Sequence, residues 1–228
     1  MLYYDWLEGR AFSVQAYEIY IVTGVIYVEY DATLSYHGMN FGLMEGKAGL
    51  LIVKTGSGGS IYGKDNKYLR LSGGMKSVYD ASVIVSDNPL EIAPTENMAL
   101  TMAVVEHYQK ESTINPVYYF GVSKGGQYAA MFAYQYQWVT KWLALNMPLF
   151  INWHRSRQGL EHLSQSQQML LLFGDHDPSY PYAEIVDALK KENIKKVIVP
   201  NADHNFSSSI EEFITLPEKY LFTTNIGI

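Results

Sequence analysis

One serine of this chain lies between two glycines, in the sequence Gly-Val-Ser-Lys-Gly at residues 121–125. A β-branched and aromatic run at residues 117–120 precedes this motif, and a stretch rich in small residues follows it. A strand, G-x-S-x-G and a helix in this order predict a sharp turn that holds the Ser123 hydroxyl above the edge of a sheet. Glycines fit on both sides because the turn is strained and the next helix approaches the strand closely. Ser123 is therefore our candidate nucleophile.

Two later segments carry an acid and a histidine that could activate this serine. Residues 169–174 are typical of a buried strand and are followed by Asp175 and Asp177, and residues 196–199 are typical of a last strand that precedes His204. The carboxyl ends of parallel strands lie at one edge of a sheet, so the serine, acid and histidine can meet there. A serine hydroxyl is a poor nucleophile unaided, and a histidine base oriented by a carboxylate activates it.

Serine, acid and histidine in this chain order, each on a loop just past a strand, make residues 48–220 resemble the α/β-hydrolase superfamily. The resemblance implies a compact domain without a lid that needs no organic cofactor and no metal. It also implies acyl transfer. Ser123 attacks an ester-like carbonyl, His204 takes the serine proton, and Asp177 holds the imidazole in the required tautomer.

The acid and the histidine each have competitors. Asp177 stands three residues after Gly174, which is the superfamily's position for the acid, whereas Asp175 would serve under a shifted register. His154 and His176 also fall on loops at the same edge of the predicted sheet. These alternatives stay open at the level of the sequence.

A glycine-rich loop, Lys-Thr-Gly-Ser-Gly-Gly-Ser at residues 54–60, follows a buried strand. In the superfamily, this loop supplies one backbone N–H to the developing oxyanion, and the residue after the nucleophile supplies the other. The resemblance therefore implies Lys124 and Ser57 as the two donors, with Gly56 or Gly58 as alternatives to Ser57.

Four residues are candidates for contact with the substrate: Thr55, Gly56, Trp153 and Arg155. Thr55 stands where the superfamily's loop has a histidine. Residues 146–155 are the main candidate to cover the site, because no room is left for a separate lid between the nucleophile and the acid. The Arg155 guanidinium suits a carboxylate or phosphate on the substrate. Plain packing with a solvated arginine is the alternative.

The glycine-rich loop also needs to be compared with phosphate-binding loops. Residues 58–65 read G-x-x-x-x-G-K-D, in which Asp65 replaces the Ser or Thr of a P-loop and would repel phosphate. The dinucleotide pattern fails as well, because Ile61 stands where its third glycine belongs. We therefore expect no nucleotide site.

Apolar runs typical of strands alternate with helical patterns along the chain. This alternation predicts an α/β fold with a mostly parallel sheet and helices on both faces. Residues 11–30, β-branched and aromatic, predict one or two antiparallel strands at the N-terminal edge. The other predicted strands are 49–53, 81–85, 117–120, 141–149, 169–174 and 196–199, and the predicted helices are 95–110, 125–137, 158–167, 182–192 and 209–220. Without a linker or repeat, residues 1–228 are expected to form a single domain.

Composition excludes several classes of function. A formal net charge of −6 without a dense basic run argues against a nucleic-acid partner. The chain has no cysteine, which excludes disulfides and thiolate chemistry. No apolar run approaches the roughly 18 residues of a membrane span, and the first residues lack the pattern of a signal peptide. We expect a cytoplasmic protein.

The sequence thus predicts a serine hydrolase that cleaves an ester or thioester through an acyl-enzyme. One alternative is an acyltransferase that uses the same residues on a sugar or another alcohol acceptor. The other is a non-catalytic interaction module on a hydrolase scaffold. The expected substrate is a small-molecule or glycan-linked acyl ester. The 19 tyrosines hint at stacking on sugar rings, although most are expected to pack at the sheet edges.

Overall fold

The computed structural model describes residues 29–223, which are arranged around an eight-stranded sheet. The strands are β1 (Ala32–Tyr36), β2 (Met39–Met44), β3 (Leu50–Lys54), β4 (Ser82–Ser86), β5 (Val117–Val122), β6 (Lys141–Leu145), β7 (Gln168–Gly174) and β8 (Ile194–Val199). The α-helices are α1 (Lys67–Tyr79), α2 (Pro94–Ser112), α3 (Lys124–Phe132), α4 (Trp153–Glu161), α5 (Ala183–Ala188) and α6 (Ile210–Pro217).

The strand order is β1-β2-β4-β3-β5-β6-β7-β8. Strands β3 to β8 run parallel, whereas β1 and β2 pair antiparallel with each other and β2 pairs antiparallel with β4. The predicted mostly parallel sheet with antiparallel strands at one edge is confirmed. The strands predicted within residues 11–30 lie almost entirely outside the described residues, so the edge strands that the structure shows are the later β1 and β2.

Helices cover both faces of the sheet, as predicted. Helices α2, α3, α4 and α5 contribute to the apolar core on one face, and α1 and α6 contribute to the core on the other. The central strands are buried on both faces, which explains why they read as continuous apolar runs rather than as alternating ones. The single-domain assignment of residues 1–228 stays a prediction.

Several elements differ from the sequence prediction, and α1, β6 and α4 are among them. Helix α1 was not predicted, because Gly73 and Gly74 lower its intrinsic helix propensity and its buried face is what stabilises it. Strand β6 ends four residues earlier than predicted, since Asn146 takes a left-handed conformation with φ 48°. Helix α4 begins earlier, at Trp153, and ends at Glu161. No helix within residues 29–223 has both the length and the apolar character needed to cross a membrane.

Candidate active site

Ser123 occupies a strained turn between β5 and α3. Its backbone has φ 51° and ψ −113°, a conformation that a residue with a Cβ adopts only when its surroundings enforce it. The Ser123 N–H donates to the carbonyl of Leu145 at 2.7 Å, which ties the turn to the end of β6. The side chain stays half-buried at the carboxyl edge of the sheet. The turn predicted from the motif therefore forms.

The two glycines of the motif are required by close backbone contacts. A Cβ on Gly121 would lie 2.4 Å from the carbonyl oxygen of Gly125, and a Cβ on Gly125 would lie 2.3 Å from the carbonyl oxygen of Lys54. Both distances are far below van der Waals contact, so neither position accepts a side chain. The close approach brings the start of α3 against the end of β3, where the glycine-rich loop begins.

The structure brings Ser123, His204 and Asp177 into one hydrogen-bonded row. The His204 Nε2 lies 3.1 Å from the Ser123 Oγ, and the His204 Nδ1 lies 2.5 Å from the Asp177 Oδ2. A carboxylate can only accept, so Nδ1 carries the proton and Nε2 of the neutral ring accepts from the serine hydroxyl. The His204 side chain is 44% exposed and that of Asp177 is 1% exposed. The imidazole therefore faces the site, and the carboxylate lies behind it.

The competing acid and histidines are not part of this row. The Asp175 Oδ1 lies 4.0 Å from the His176 Nε2, and among residues 29–223 no hydrogen bond joins Asp175 to His204. His154, at the start of α4, and His176 also make no contact with Ser123 within the described part of the chain. Of the two carboxylates that the sequence left open, Asp177 is the one that contacts the histidine.

Hydrogen bonding sets the charge of the acid and the histidine. Burial acts to raise the pKa of Asp177, but hydrogen bonds from His204 and Ser179 outweigh it and hold that pKa below its ordinary value. The Ser179 N–H donates to the Asp177 Oδ1 at 2.6 Å. The hydrogen bond to Asp177 raises the pKa of His204, against the opposing effect of its own burial. Asp177 is thus an anion, and the imidazolium form of His204 is stabilised.

Asn146, which the sequence analysis did not single out, joins the loops of the acid and the histidine. Its Oδ1 accepts from the Gly174 N–H at 2.8 Å, and its Nδ2 donates to the carbonyls of Asp203 at 3.2 Å and His204 at 3.4 Å. The side chain is fully buried. The one signal in the sequence was an asparagine directly after an apolar run, and asparagine tolerates the left-handed backbone that Asn146 adopts. Asn146 thus fixes the loop that carries His204 relative to β7.

The glycine-rich loop lies directly against the candidate nucleophile. A Cβ on Gly56 would be 3.3 Å from the Ser123 Cβ and 3.9 Å from its Oγ. The Gly58 N–H donates to the carbonyl of Asn88 at 2.8 Å. Burial raises the pKa of the Tyr68 phenol, and an interaction with the Gly56 backbone opposes that rise. Among residues 29–223, no acceptor takes the N–H of Ser57. The Ser57 N–H is therefore one free donor of this loop, and its role toward an oxyanion stays a prediction.

The second expected donor is at the start of α3. Lys124 is the first residue of that helix, so its backbone N–H has no acceptor within the helix. The first turn of a helix also carries partial positive charge. The Lys124 N–H directly follows Ser123 and has no acceptor within the helix. The role of Lys124 and Ser57 as oxyanion donors stays a prediction.

Thr55 and Asn88 hold the glycine-rich loop in place. The buried Thr55 hydroxyl donates to the Gly59 carbonyl at 2.9 Å, and the Asn88 Nδ2 donates to the Thr55 carbonyl at 3.0 Å. The Asn88 N–H donates to the Gly59 carbonyl at 3.1 Å. Thr55 therefore stabilises the loop from within. Substrate contact by Thr55 and Gly56 stays a prediction.

Trp153 and Arg155 lie on α4, beside the loop that precedes it. The Gln127 Nε2 donates to the carbonyl of Pro148 at 3.1 Å, which fixes this loop against α3 close to Ser123. The Arg155 guanidinium hydrogen-bonds to the Thr95 hydroxyl at 3.0 Å and lies 5.4 Å from the Phe132 ring centroid. Arg155 thus links α4 to α2. Substrate binding by Trp153 and Arg155 stays a prediction.

Within residues 29–223, no three His, Asp or Glu side chains are grouped as metal ligands would be. The row formed by Ser123, His204 and Asp177 is a set of proton donors and acceptors.

Neither a family model nor a curated protein matches the sequence. Among solved structures, Est1E from Butyrivibrio proteoclasticus is similar with a TM-score of 0.66 and 16% identity, over 83% of this chain and 96% of that one. An α/β serine hydrolase homologue from Coxiella burnetii has a TM-score of 0.64 and 16% identity, over 86% of this chain and 99% of that one. A serine hydrolase without a lid from Xanthomonas campestris has a TM-score of 0.59 and 12% identity, over 79% of this chain and 87% of that one. The chain has the α/β-hydrolase fold, as the sequence predicted.

Proposed function

We propose that this α/β-hydrolase fold carries a serine hydrolase that cleaves carboxylic esters or thioesters through an acyl-enzyme. The observation that carries the proposal is the imidazole of His204, which lies within hydrogen-bonding distance of both Ser123 and Asp177. The similar structures, which include esterases and serine hydrolases, support the same class of reaction.

Acylation begins when the Ser123 Oγ attacks the carbonyl carbon and its proton moves to the His204 Nε2. The negative charge of Asp177 stabilises the resulting imidazolium. Collapse of the tetrahedral intermediate breaks the bond to the alcohol or thiol, which leaves with the proton from Nε2. The products of acylation are the free alcohol or thiol and an ester between the acyl group and Ser123.

The negative charge on the tetrahedral intermediate is stabilised by the backbone N–H groups of Ser57 and Lys124. Both groups lack an acceptor among the described residues. Lys124 directly follows the nucleophile, and Gly56, the neighbour of Ser57, lies against it. Removal of one such donor costs about 10² to 10³ in kcat in a related arrangement. Because the donors are backbone groups, the conformation of the glycine-rich loop determines this stabilisation.

Deacylation repeats these steps with water. The His204 Nε2 takes a proton from water, the hydroxide attacks the acyl-enzyme, and the same proton returns to the Ser123 oxygen as the carboxylic acid leaves. An alcohol in the place of water would give acyl transfer with otherwise identical steps. Product analysis in the presence of a sugar acceptor therefore separates hydrolase from acyltransferase.

Turnover of 4-nitrophenyl acetate tests the proposal. We expect saturable hydrolysis that falls by at least about 10³-fold in Ser123→Ala, because the nucleophile is lost. Ser166→Ala is the matched control, since Ser166 is an exposed serine on the loop before β7, at the opposite edge of the sheet. Hydrolysis that persists in Ser123→Ala, or that falls equally in Ser166→Ala, would exclude the proposed nucleophile.

A further inference from the structure

Lys67 is a buried lysine at the amino end of α1, near the loop of His204. It is 8% exposed, and its Nζ lies 4.4 Å from the Phe213 ring centroid and 5.3 Å from that of Tyr68. Phe213 in turn packs on Phe206, two residues after His204. Lys67 is close enough to His204 to lower the pKa of the imidazole, against the larger effect of Asp177.

The Lys67 ammonium has no hydrogen-bond acceptor and no carboxylate within ion-pairing distance among residues 29–223. Asp203 is the nearby acid that counteracts the effect of burial on the pKa of Lys67, which lies below its ordinary value. However, the Asp203 Oδ1 accepts from the N–H groups of Asn205 at 3.0 Å and Ser207 at 2.8 Å. The Asp203 carboxylate is thus directed into its own loop, and the ammonium is left without a direct partner.

Two further features make this position attractive to an anion. Lys67 is the first residue of the 13-residue helix α1, and side chains on a helix lean toward its amino end, where the partial charge is positive. The aromatic rings of Phe213 and Tyr68 stabilise the cation but give it no hydrogen-bond acceptor. Because most of the Lys67 side chain is withdrawn from water, an anion that pairs with the ammonium and accepts its hydrogen bonds would stabilise it.

We propose that Lys67 binds a negatively charged group of the substrate, so that the enzyme prefers esters that carry a carboxylate or phosphate near the scissile bond. This inference rests on the proposed function. In the proposed reaction, His204 delivers its proton to the leaving alcohol. Because Lys67 lies on the side of His204, we expect the negative charge on the alcohol part of the ester. An anionic group on the alcohol would form an ion pair with the Lys67 ammonium and accept the hydrogen bonds for which the described residues supply no acceptor.

The test compares two esters that differ only in charge: 3-acetoxybenzoate and its neutral amide, 3-acetoxybenzamide. We expect wild-type kcat/KM to be higher for the anion, although the chain as a whole has a net charge of −6. In Lys67→Met, which keeps an unbranched stem against Phe213, the ratio of the two kcat/KM values should fall about tenfold, mainly through KM of the anion.

Lys64→Met is the matched control, because Lys64 is an exposed lysine three residues before Lys67 and its loss changes the net charge equally. We expect the ratio in Lys64→Met to stay within about twofold of wild type. An equal fall in both variants would mean that only the long-range field matters, and it would overturn the inference. Thermal melting verifies that both variants fold.

Charge on the acyl part is tested with the 4-nitrophenyl monoester of adipate against 4-nitrophenyl hexanoate. A Lys67-dependent preference for the anion in either pair supports the inference, and the pair that shows it identifies the charged part of the substrate. If Lys67→Met does not fold, the wild-type protein provides the test. A ratio of anion to neutral kcat/KM below one in both pairs of esters would overturn the inference. Turnover of the neutral esters that depends on Ser123 shows that the proposed function stands in that case.

Discussion

His204 is the residue on which the proposed chemistry depends most directly, since its ring contacts both the nucleophile and the acid. The imidazole must be unprotonated to take the serine proton. The Asp177 hydrogen bond raises the pKa of His204 above its ordinary value of 6.5, so the protonated, inactive form persists to a higher pH than in an isolated histidine. Activity should therefore rise with pH through a midpoint above 6.5.

Asp177→Asn tests this account of the pH dependence. An amide stabilises the imidazolium less and favours the wrong tautomer, so kcat/KM should fall by about 10³ to 10⁴ and the midpoint of the acidic limb should move to lower pH. Asp175→Asn is the matched control, and it should change kcat/KM by less than about threefold, because Asp175 does not contact His204. Profiles of kcat/KM from pH 5 to 9 measure both effects. An unmoved acidic limb in Asp177→Asn would contradict the role of the acid.

Loops rather than helices position the site, and buried asparagine side chains hold those loops. Asn146 connects the end of β6 to the loops of the acid and the histidine, and Asn88 holds the glycine-rich loop. These residues were not predicted, because a lone asparagine after a strand looks like an ordinary turn residue in the sequence. Their role depends on hydrogen bonds to segments that are distant along the chain.

Removal of the Asn146 side chain should loosen the loop that carries His204. In Asn146→Ala we expect kcat to fall about 10- to 100-fold with a smaller change in KM, and the free energy of unfolding to fall by about 2–3 kcal/mol. Asn152→Ala is a matched control, since Asn152 shares the left-handed backbone (φ 65°) but is exposed and donates no side-chain hydrogen bond among the described residues. Steady-state kinetics and urea denaturation separate the two variants.

A second variant, Asn146→Asp, keeps the acceptor for the Gly174 N–H but loses the donor to the Asp203 and His204 carbonyls. If Asn146 positions the histidine, this variant should lose kcat nearly as far as Asn146→Ala. An activity close to that of wild type in both variants would show that the side chain only packs.

At the scale of the whole molecule, strand order brings together residues that are far apart in sequence. Ser123 and His204 are separated by 81 positions, yet they meet because β5 lies near the middle of a parallel sheet whose loops emerge at one edge. The sequence could predict this much, since buried strands read as apolar runs and each candidate residue follows one. It could not predict α1 or the end of β6, where packing and a left-handed backbone outweigh local propensity.

The element that carries a site residue determines whether the sequence could predict that residue. Ser123, Asp177 and His204 are tied to strand ends, whose positions follow from hydrophobic patterns. Lys67 lies on the helix that was not predicted, so its approach to His204 could not be anticipated. The partners of Arg155 are side chains on α2 and α3, which only the packing of helices reveals.

Labelling with a fluorophosphonate probe, followed by mass spectrometry of the labelled peptide, tests the central claim most directly. Our account predicts covalent modification of Ser123 in the wild-type protein and its loss in His204→Ala, because the serine is reactive only when the imidazole takes its proton. Equal labelling of Ser123 in His204→Ala, or no labelling of the folded wild-type protein, would contradict the account and favour an interaction module on a hydrolase scaffold.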